Sequence, residues 1–205
     1  VKIVLIKATA LLQGKVLAVI KEKNIPFLIV AAPPDFSKFL ADQKTSKVND
    51  MRKGEMLASM LVIATNAHAG QFDKGGYPYI LHPLKVMHYT KSSDEEIQCI
   101  ALGHDVIEDT DVTYKDLREA GMSERVIEAI NVLTKQPGQT LEEYKARVFS
   151  NPDAMIVKSA DLRHNSDLRR LKGVSEKDFA RIAKYMLFFA EITSKLQEKS
   201  TKSDA

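Results

Sequence analysis

The chain has 205 residues, enough for one ordinary domain with an appendage. It is 44% hydrophobic and 28% charged, a globular balance, and its 30 basic and 27 acidic residues are scattered, so a formal net charge of +3 marks no nucleic-acid surface. Cys99 is the only cysteine, which excludes a disulfide framework and a cysteine-based zinc site and fits a reducing cytoplasm.

Residues 1–32 read as strand, helix and strand: VKIVLIK, then ALLQGKVLAVIKEK, then PFLIVAA. Lys7, Gln13 and Lys15 interrupt this apolar opening, and it lacks a cleavage site, so neither a signal peptide nor a membrane helix of roughly 18 apolar residues is expected. Pro33-Pro34 then stops the pattern. Two short strands make no stable sheet alone, so residues 1–50 are expected to be a small α/β extension without chemistry. From Met51 onward the apolar period is helical. In GEMLASMLVIATNAHAG, Leu57, Leu61, Ala64 and His68 share a face. SDEEIQCIALGHDVIEDT reads as a helix capped by Ser93, with acidic residues in its first turn. SERVIEAINVLT, TLEEYKARVF, PDAMIVKSADLRHN and EKDFARIAKYMLFFAEITSKL follow. In the last, Phe179, Ile182, Met186, Phe189 and Leu196 form the expected apolar stripe. The predicted fold is all-α: a helical bundle over residues 51–197, followed by a frayed polar tail at 198–205.

Three places set polar groups where core is expected. Ile97, Ile100, Ala101, His104 and Glu108 lie on one helical stripe, so His104-Asp105 and Glu108-Asp109 interrupt an apolar line. Asp161 sits among Ala154, Val157, Leu168 and Leu171, with Asn165 one turn on. In AHAGQFDKGGYPYILHPLKVM, Gly75-Gly76 makes a tight turn, and His82 precedes Pro83, a residue suited to the first position of a helix. Unpaired carboxylates cost several kcal/mol to bury. A divalent ion in a mixed nitrogen and oxygen site removes that cost. His104 and Asp105 reach one ion together, and Asp161 and a further histidine close the site. Spacing slightly favours His68 over His82 for that histidine. Glu108 and Asp109, one turn on, are placed to orient a water and take its proton. The implied chemistry is hydrolysis of an ester or anhydride, most naturally of phosphate. On spacing alone, His88 and His164 are surface or supporting residues, Lys74 is a solvated loop lysine, and Arg163, Arg169 and Arg170 dress an exposed helix face.

AHAGQFDKGGYPYILHP, ALGHDVIEDT and KSADLRHN stand in the order and spacing of the HD-type hydrolase domain of RelA/SpoT proteins. The resemblance covers roughly residues 53 to 195 and is closest to the stand-alone small alarmone hydrolases, metazoan SpoT homologues included. It implies an HD-domain bundle without a synthetase, Mn²⁺ as cofactor, and removal of the 3′-pyrophosphate from (p)ppGpp to give GDP or GTP. It implies His82, His104, Asp105 and Asp161 as metal ligands, choosing His82 over His68 and leaving His68 a supporting role. It implies Glu108 and Asp109 as the water-activating pair, and Lys74 and Asn165 as nucleotide contacts. The chain departs from the family where Asp73 precedes Lys74 in place of a second basic residue, and where Leu168 stands near an expected threonine. Residues for chemistry are intact while residues that hold substrate are altered. Two alternatives follow: a phosphohydrolase of another nucleotide, such as the 2′-phosphate of NADPH or a 5′-nucleotide, and a nucleotide-binding module without turnover. The Glu108-Asp109 pair argues against the second. The expected partner is a small nucleotide, with no nucleic acid and no membrane, and the pattern sets no oligomeric state.

Overall fold

A computed structural model describes residues 2–4, 27–29 and 52–203, and the chain divides into two units, Val1–Asp50 and Met51–Ala205. In the first, β1 (Lys2–Val4) and β2 (Phe27–Ile29) pair in parallel, with Lys2 opposite Phe27 and Val4 opposite Ile29. Both strands fall in the expected apolar runs. The helix expected between them, and the Pro33-Pro34 break, lie outside the described residues.

Among its described residues the regular structure of the second unit is helical apart from one bridge between Phe72 and Pro78. Its helices are α1 (Glu55–Ala67), α2 (Leu81–Thr90), α3 (Glu95–Gly103), α4 (Val106–Asp109) and α5 (Tyr114–Glu119). Then come α6 (Glu124–Leu133), α7 (Leu141–Ser150), α8 (Pro152–Asn165), a 3-10 turn (Leu168–Arg170) and α9 (Glu176–Ser203). Side chains start several of them. Thr113 with Asp116 and Thr140 with Glu143 form reciprocal capping boxes. Asn151 caps α8 ahead of Pro152, whose missing N–H costs nothing at a first helical position.

Helix α3 is central, packed against α1, α2, α6 and α8. Its Ile100, Ala101 and Leu102 are buried with Met60, Val86, Ile130 and Val157. A second cluster joins Tyr144 and Val148 of α7, Met155 and Leu162 of α8, and Phe188 and Ile192 of α9. Helix α8 therefore has core on both flanks, and Asp161 is 4% exposed between them. At the end of α3, a Cβ on Gly103 would stand 2.9 Å from Met60 and Ile130 side-chain atoms. That close approach draws the end of α3, and the histidine that follows it, into the interior.

Several expectations shift. The α3 cap is Asp94, which accepts from the Glu96 N–H at 2.9 Å, while Ser93 precedes it. The helix expected to run on through His104 stops at Gly103 and resumes at Val106, leaving His104-Asp105 as a turn. On α1 the buried line is Met60, Ala64 and His68, with Leu61 40% exposed, because α1 turns its Met60 side onto α3. On α9 the buried face is Phe188 and Ile192, flanked by Tyr185 and Leu196, since Tyr144 and Phe149 pack edge-on against Phe188. Phe179 and Met186 are exposed. The expected frayed tail is helical to Ser203, in keeping with a segment that has no glycine or proline to stop it.

Candidate metal centre

Three elements bring the polar intruders together. The α3–α4 turn carries His104 and Asp105, the first turn of α2 carries His82, and α8 carries Asp161. Helix α2 begins at Leu81, so His82 is its second residue and Pro83 its third, not its first. A proline is still tolerated there, because the first four helical N–H groups have no partner within the helix. His82 Nε2 lies 3.2 Å from Asp161 Oδ1 and 3.4 Å from Asp105 Oδ2. His104 Nε2 lies 3.0 Å from Asp105 Oδ2 and 3.8 Å from Asp161 Oδ1. His82, His104 and Asp161 are buried, and Asp105 is partly so.

The donor chemistry suits a divalent ion. His104 Nδ1 donates to the Ala101 carbonyl oxygen at 2.8 Å, so a neutral ring bares its Nε2 lone pair. That Nε2 is buried without a hydrogen-bond partner and faces two carboxylates. A lone pair aimed at anions calls for a cation between them. His82, His104 and Asp105 form a possible metal-holding group, and Asp161 Oδ1 is directed at the same nitrogens.

Without an ion, a proton takes its place. Burial works against a charged His104, but Asp105 and Asp161 outweigh it and push the group up to about 10. Burial also opposes the Asp161 charge, yet Lys158 and the two histidines hold its carboxyl well below the usual range. An ion must displace the His104 proton. The stabilisation that proton brings is full below the unfolded value of about 6.5 and fades as pH rises towards about 10. Ion binding strengthens over the same window. We expect the rise in Tm on adding Mn²⁺ to be larger at about pH 8.5 than at about pH 6. Thermal scans giving equal increments would count against the exchange.

The surrounding groups fix this cluster. On α8, Lys158 Nζ donates to Asp161 Oδ2 at 2.8 Å and Asn165 Nδ2 donates to Asp161 Oδ1, so residues one turn before and after clamp the carboxylate. Tyr79 donates to Asp105 Oδ2 at 2.7 Å and lies 3.4 Å from Asp109 Oδ2. Glu108 Oε2 accepts from the Lys135 N–H at 2.9 Å. Glu108 and Asp109 are exposed at the mouth of the cluster. Burial first, and the Asp105 charge second, raise the Asp109 carboxyl above its ordinary value.

His68 stands apart, behind the Tyr79 ring at 4.9 Å. Its Nδ1 meets Gln71 Oε1 at 2.8 Å, and Gln71 Nε2 donates to the Asp109 carbonyl oxygen at 3.0 Å, so this chain supports the end of α4. His88 and Arg163 are exposed, as is Arg169, which pairs with Asp167. His164 is buried against His82. Burial, with Arg170 and His82 adding to it, pushes His164 down to about 4. Arg170 does not dress an exposed face: it donates to Asn165 Oδ1 at 2.8 Å and to Asp73 Oδ2 at 3.3 Å. Asp73 in turn accepts from the Gly75 and Tyr77 N–H groups at 2.9 Å. A Cβ on Gly75 would collide with the Arg170 carbonyl oxygen, so only glycine lets the turn lie against the 3-10 segment.

Two of the cavities beside the cluster share Tyr79 and Asn165 as a wall. One, about 240 Å³, is lined by Phe72, Lys74, Arg170, Arg181 and Tyr185 among others. The other, about 170 Å³, is lined by His104, Asp105, Glu108, Lys135, Lys158 and Asp161 among others. Sequence reasoning missed Tyr79, Lys158, Arg181 and Tyr185. Lys158, Asp161 and Asn165 at helical spacing could have signalled the clamp, and Arg181 with Tyr185 one turn of α9.

No protein-family model matches the chain. It is 34% identical over 139 residues to the guanosine-3′,5′-bis(diphosphate) 3′-pyrophosphohydrolase of Haemophilus influenzae, covering 62% of this chain and 20% of that one. It is 32% identical over 143 residues to the bifunctional (p)ppGpp synthase/hydrolase SpoT of Escherichia coli, covering 64% of this chain and 20% of that one. The chain thus spans about one fifth of the length of these curated relatives. A solved structure reported as a metazoan orthologue of SpoT that hydrolyses ppGpp and acts in starvation responses has a TM-score of 0.56 at 23% identity. The match covers 71% of this chain and 87% of that one, and it is a likeness of fold. Over about two thirds of its length the chain is therefore similar in sequence to proteins named as (p)ppGpp hydrolases, and it shares an all-α fold with the solved SpoT orthologue.

Proposed function

We propose that this chain is a metal-dependent hydrolase that removes the 3′-pyrophosphate from (p)ppGpp, giving GDP or GTP and pyrophosphate. One observation carries the reading: four buried or half-buried ligand side chains converge, with a carboxylate pair at their mouth and a basic, aromatic cavity alongside. In this reading His82, His104, Asp105 and Asp161 hold the ion, which is Mn²⁺, an ion suited to mixed imidazole and carboxylate ligands. The ion supplies charge stabilisation at the attacked phosphoryl group and eases ionisation of water. The protein positions and deprotonates that water. Glu108, tethered by the Lys135 N–H, and Asp109, near the Tyr79 hydroxyl, face it from the mouth. Lys74 and Asn165 contact the nucleotide, and Arg181 and Tyr185 offer it a charge and a ring in the same cavity.

The test is the product formed from ppGpp by Mn²⁺-loaded protein. GDP and pyrophosphate, with activity lost to a chelator, support the reading; orthophosphate release in their place overturns the 3′-pyrophosphohydrolase assignment. A cytoplasmic setting belongs to this reading, and the buried free thiol of Cys99 is compatible with it. Among the described residues no helix is long and apolar enough to cross a membrane.

The domain assignment is residues 51–197 for the catalytic bundle and 1–50 for an extension outside the chemistry. A protein lacking residues 1–50 is expected to remain folded and to turn over substrate at a rate close to the full chain's. Circular dichroism and kinetics check this, and an insoluble or inactive truncation would make the extension part of the bundle's core.

A further inference from the structure

The geometry points to His164 as the positioning residue that sets the tautomer of His82, an inference that rests on His82 being an ion ligand. His82 Nδ1 and His164 Nδ1 are 2.7 Å apart. At that separation one nitrogen carries a proton and the other receives it; two N–H groups or two bare lone pairs would repel. The ring centres are 5.0 Å apart and the planes only 14° apart. With the two nitrogens at 2.7 Å, this is the arrangement of rings meeting edge to edge, nitrogen to nitrogen, which aligns donor and acceptor.

The other nitrogen of His82 decides the direction. Its Nε2 faces Asp161 Oδ1 at 3.2 Å and Asp105 Oδ2 at 3.4 Å. To hold an ion among these oxygens, Nε2 must present a lone pair. A neutral imidazole with a bare Nε2 carries its proton on Nδ1. His82 therefore donates to His164 Nδ1, and His164 keeps its own proton on Nε2. Ligand histidines usually donate this second proton to a carboxylate or a carbonyl; here a neutral ring receives it. His164 is held for the task. It is 9% exposed, the Tyr89 ring meets it edge-on at 5.9 Å, and its carbonyl oxygen accepts from Arg170 at 3.3 Å.

Two measurements test this. In ¹⁵N-histidine-labelled protein loaded with diamagnetic Zn²⁺, His82 should be protonated at Nδ1 and His164 at Nε2; a proton on His164 Nδ1 overturns the inference. This needs no variant, so a folding defect cannot obscure it. Mn²⁺ affinity, read by electron paramagnetic resonance, is expected to fall about 10- to 100-fold in His164→Leu. It is expected to recover most of that loss in His164→Asn, whose amide oxygen offers an acceptor near the Nδ1 position. Wild-type affinity in His164→Leu overturns the positioning role. The His82→Ala variant separates the two failures: if it retains wild-type affinity, the ligand assignment itself has failed, whereas if it loses the ion while His164→Leu does not, only the role of His164 has.

Discussion

Glu108→Gln with Asp109→Asn is expected to leave fold and bound ion intact while lowering kcat by about 10²–10⁴-fold, the usual range for removing general acid–base groups. Neither carboxylate belongs to the buried cluster. Both are exposed at its mouth, Glu108 tied to the Lys135 N–H at 2.9 Å and Asp109 near the Tyr79 hydroxyl at 3.4 Å. The amides keep shape and hydrogen-bonding capacity but not the ability to take a proton. The loss falls on kcat more than on KM, because that proton moves only on the way to the transition state. Steady-state kinetics beside elemental analysis checks this. Full activity in the double variant would end the water-activating role and favour a nucleotide-binding module.

The second large effect concerns the ligands. His82→Ala and Asp161→Ala are expected to lose the ion and, with it, turnover. Asp161→Ala also strands Lys158 beneath the site, because the ammonium, with its side chain 19% exposed, loses the carboxylate 2.8 Å away. Removing one partner of a mostly buried pair costs about 3–5 kcal/mol, so this variant is expected to unfold at a markedly lower urea concentration. His68→Ala is expected to keep the ion and to lose some stability, through the Gln71 link to the end of α4 and the buried contact with Tyr79. Asp161→Asn is expected to recover part of its activity in excess Mn²⁺, whereas Glu108→Gln remains inactive. Metal retained in His82→Ala and lost in His68→Ala would reverse the assignment of the histidines.

Much of this was legible in the sequence because burial and charge conflict there. His104-Asp105 and Asp161 interrupt apolar lines, and the structure brings both carboxylates within ion-pairing reach of His104. Spacing alone preferred His68 to His82, because a helical stripe records which face is buried but not what that face meets. His68 is indeed buried, yet it meets Gln71 and Tyr79. His82 reaches the carboxylates because it lies in the first turn of α2, which packs against α3 and α8, a tertiary fact that periodicity does not encode. The α9 stripe was read only in part: Phe189 and Leu196 do pack against the second cluster, but Phe179 and Met186 are exposed, and the rings of Tyr144 and Phe149 make Phe188, with Ile192, the centre of the buried face. Asp73 was visible as a departure from a basic pair. Its structural work, accepting two turn N–H groups and Arg170, depends on a segment some 97 residues away.

The central claim is that this site hydrolyses an alarmone nucleotide, and it is tested most directly by turnover of Mn²⁺-loaded protein on a panel of ppGpp, NADPH and 5′-mononucleotides, with kcat/KM measured for each. The account predicts that ppGpp is the preferred substrate and that it yields GDP and pyrophosphate. Preferred hydrolysis of NADPH or of a 5′-mononucleotide, or no turnover of any of them by protein that retains its ion, would contradict it.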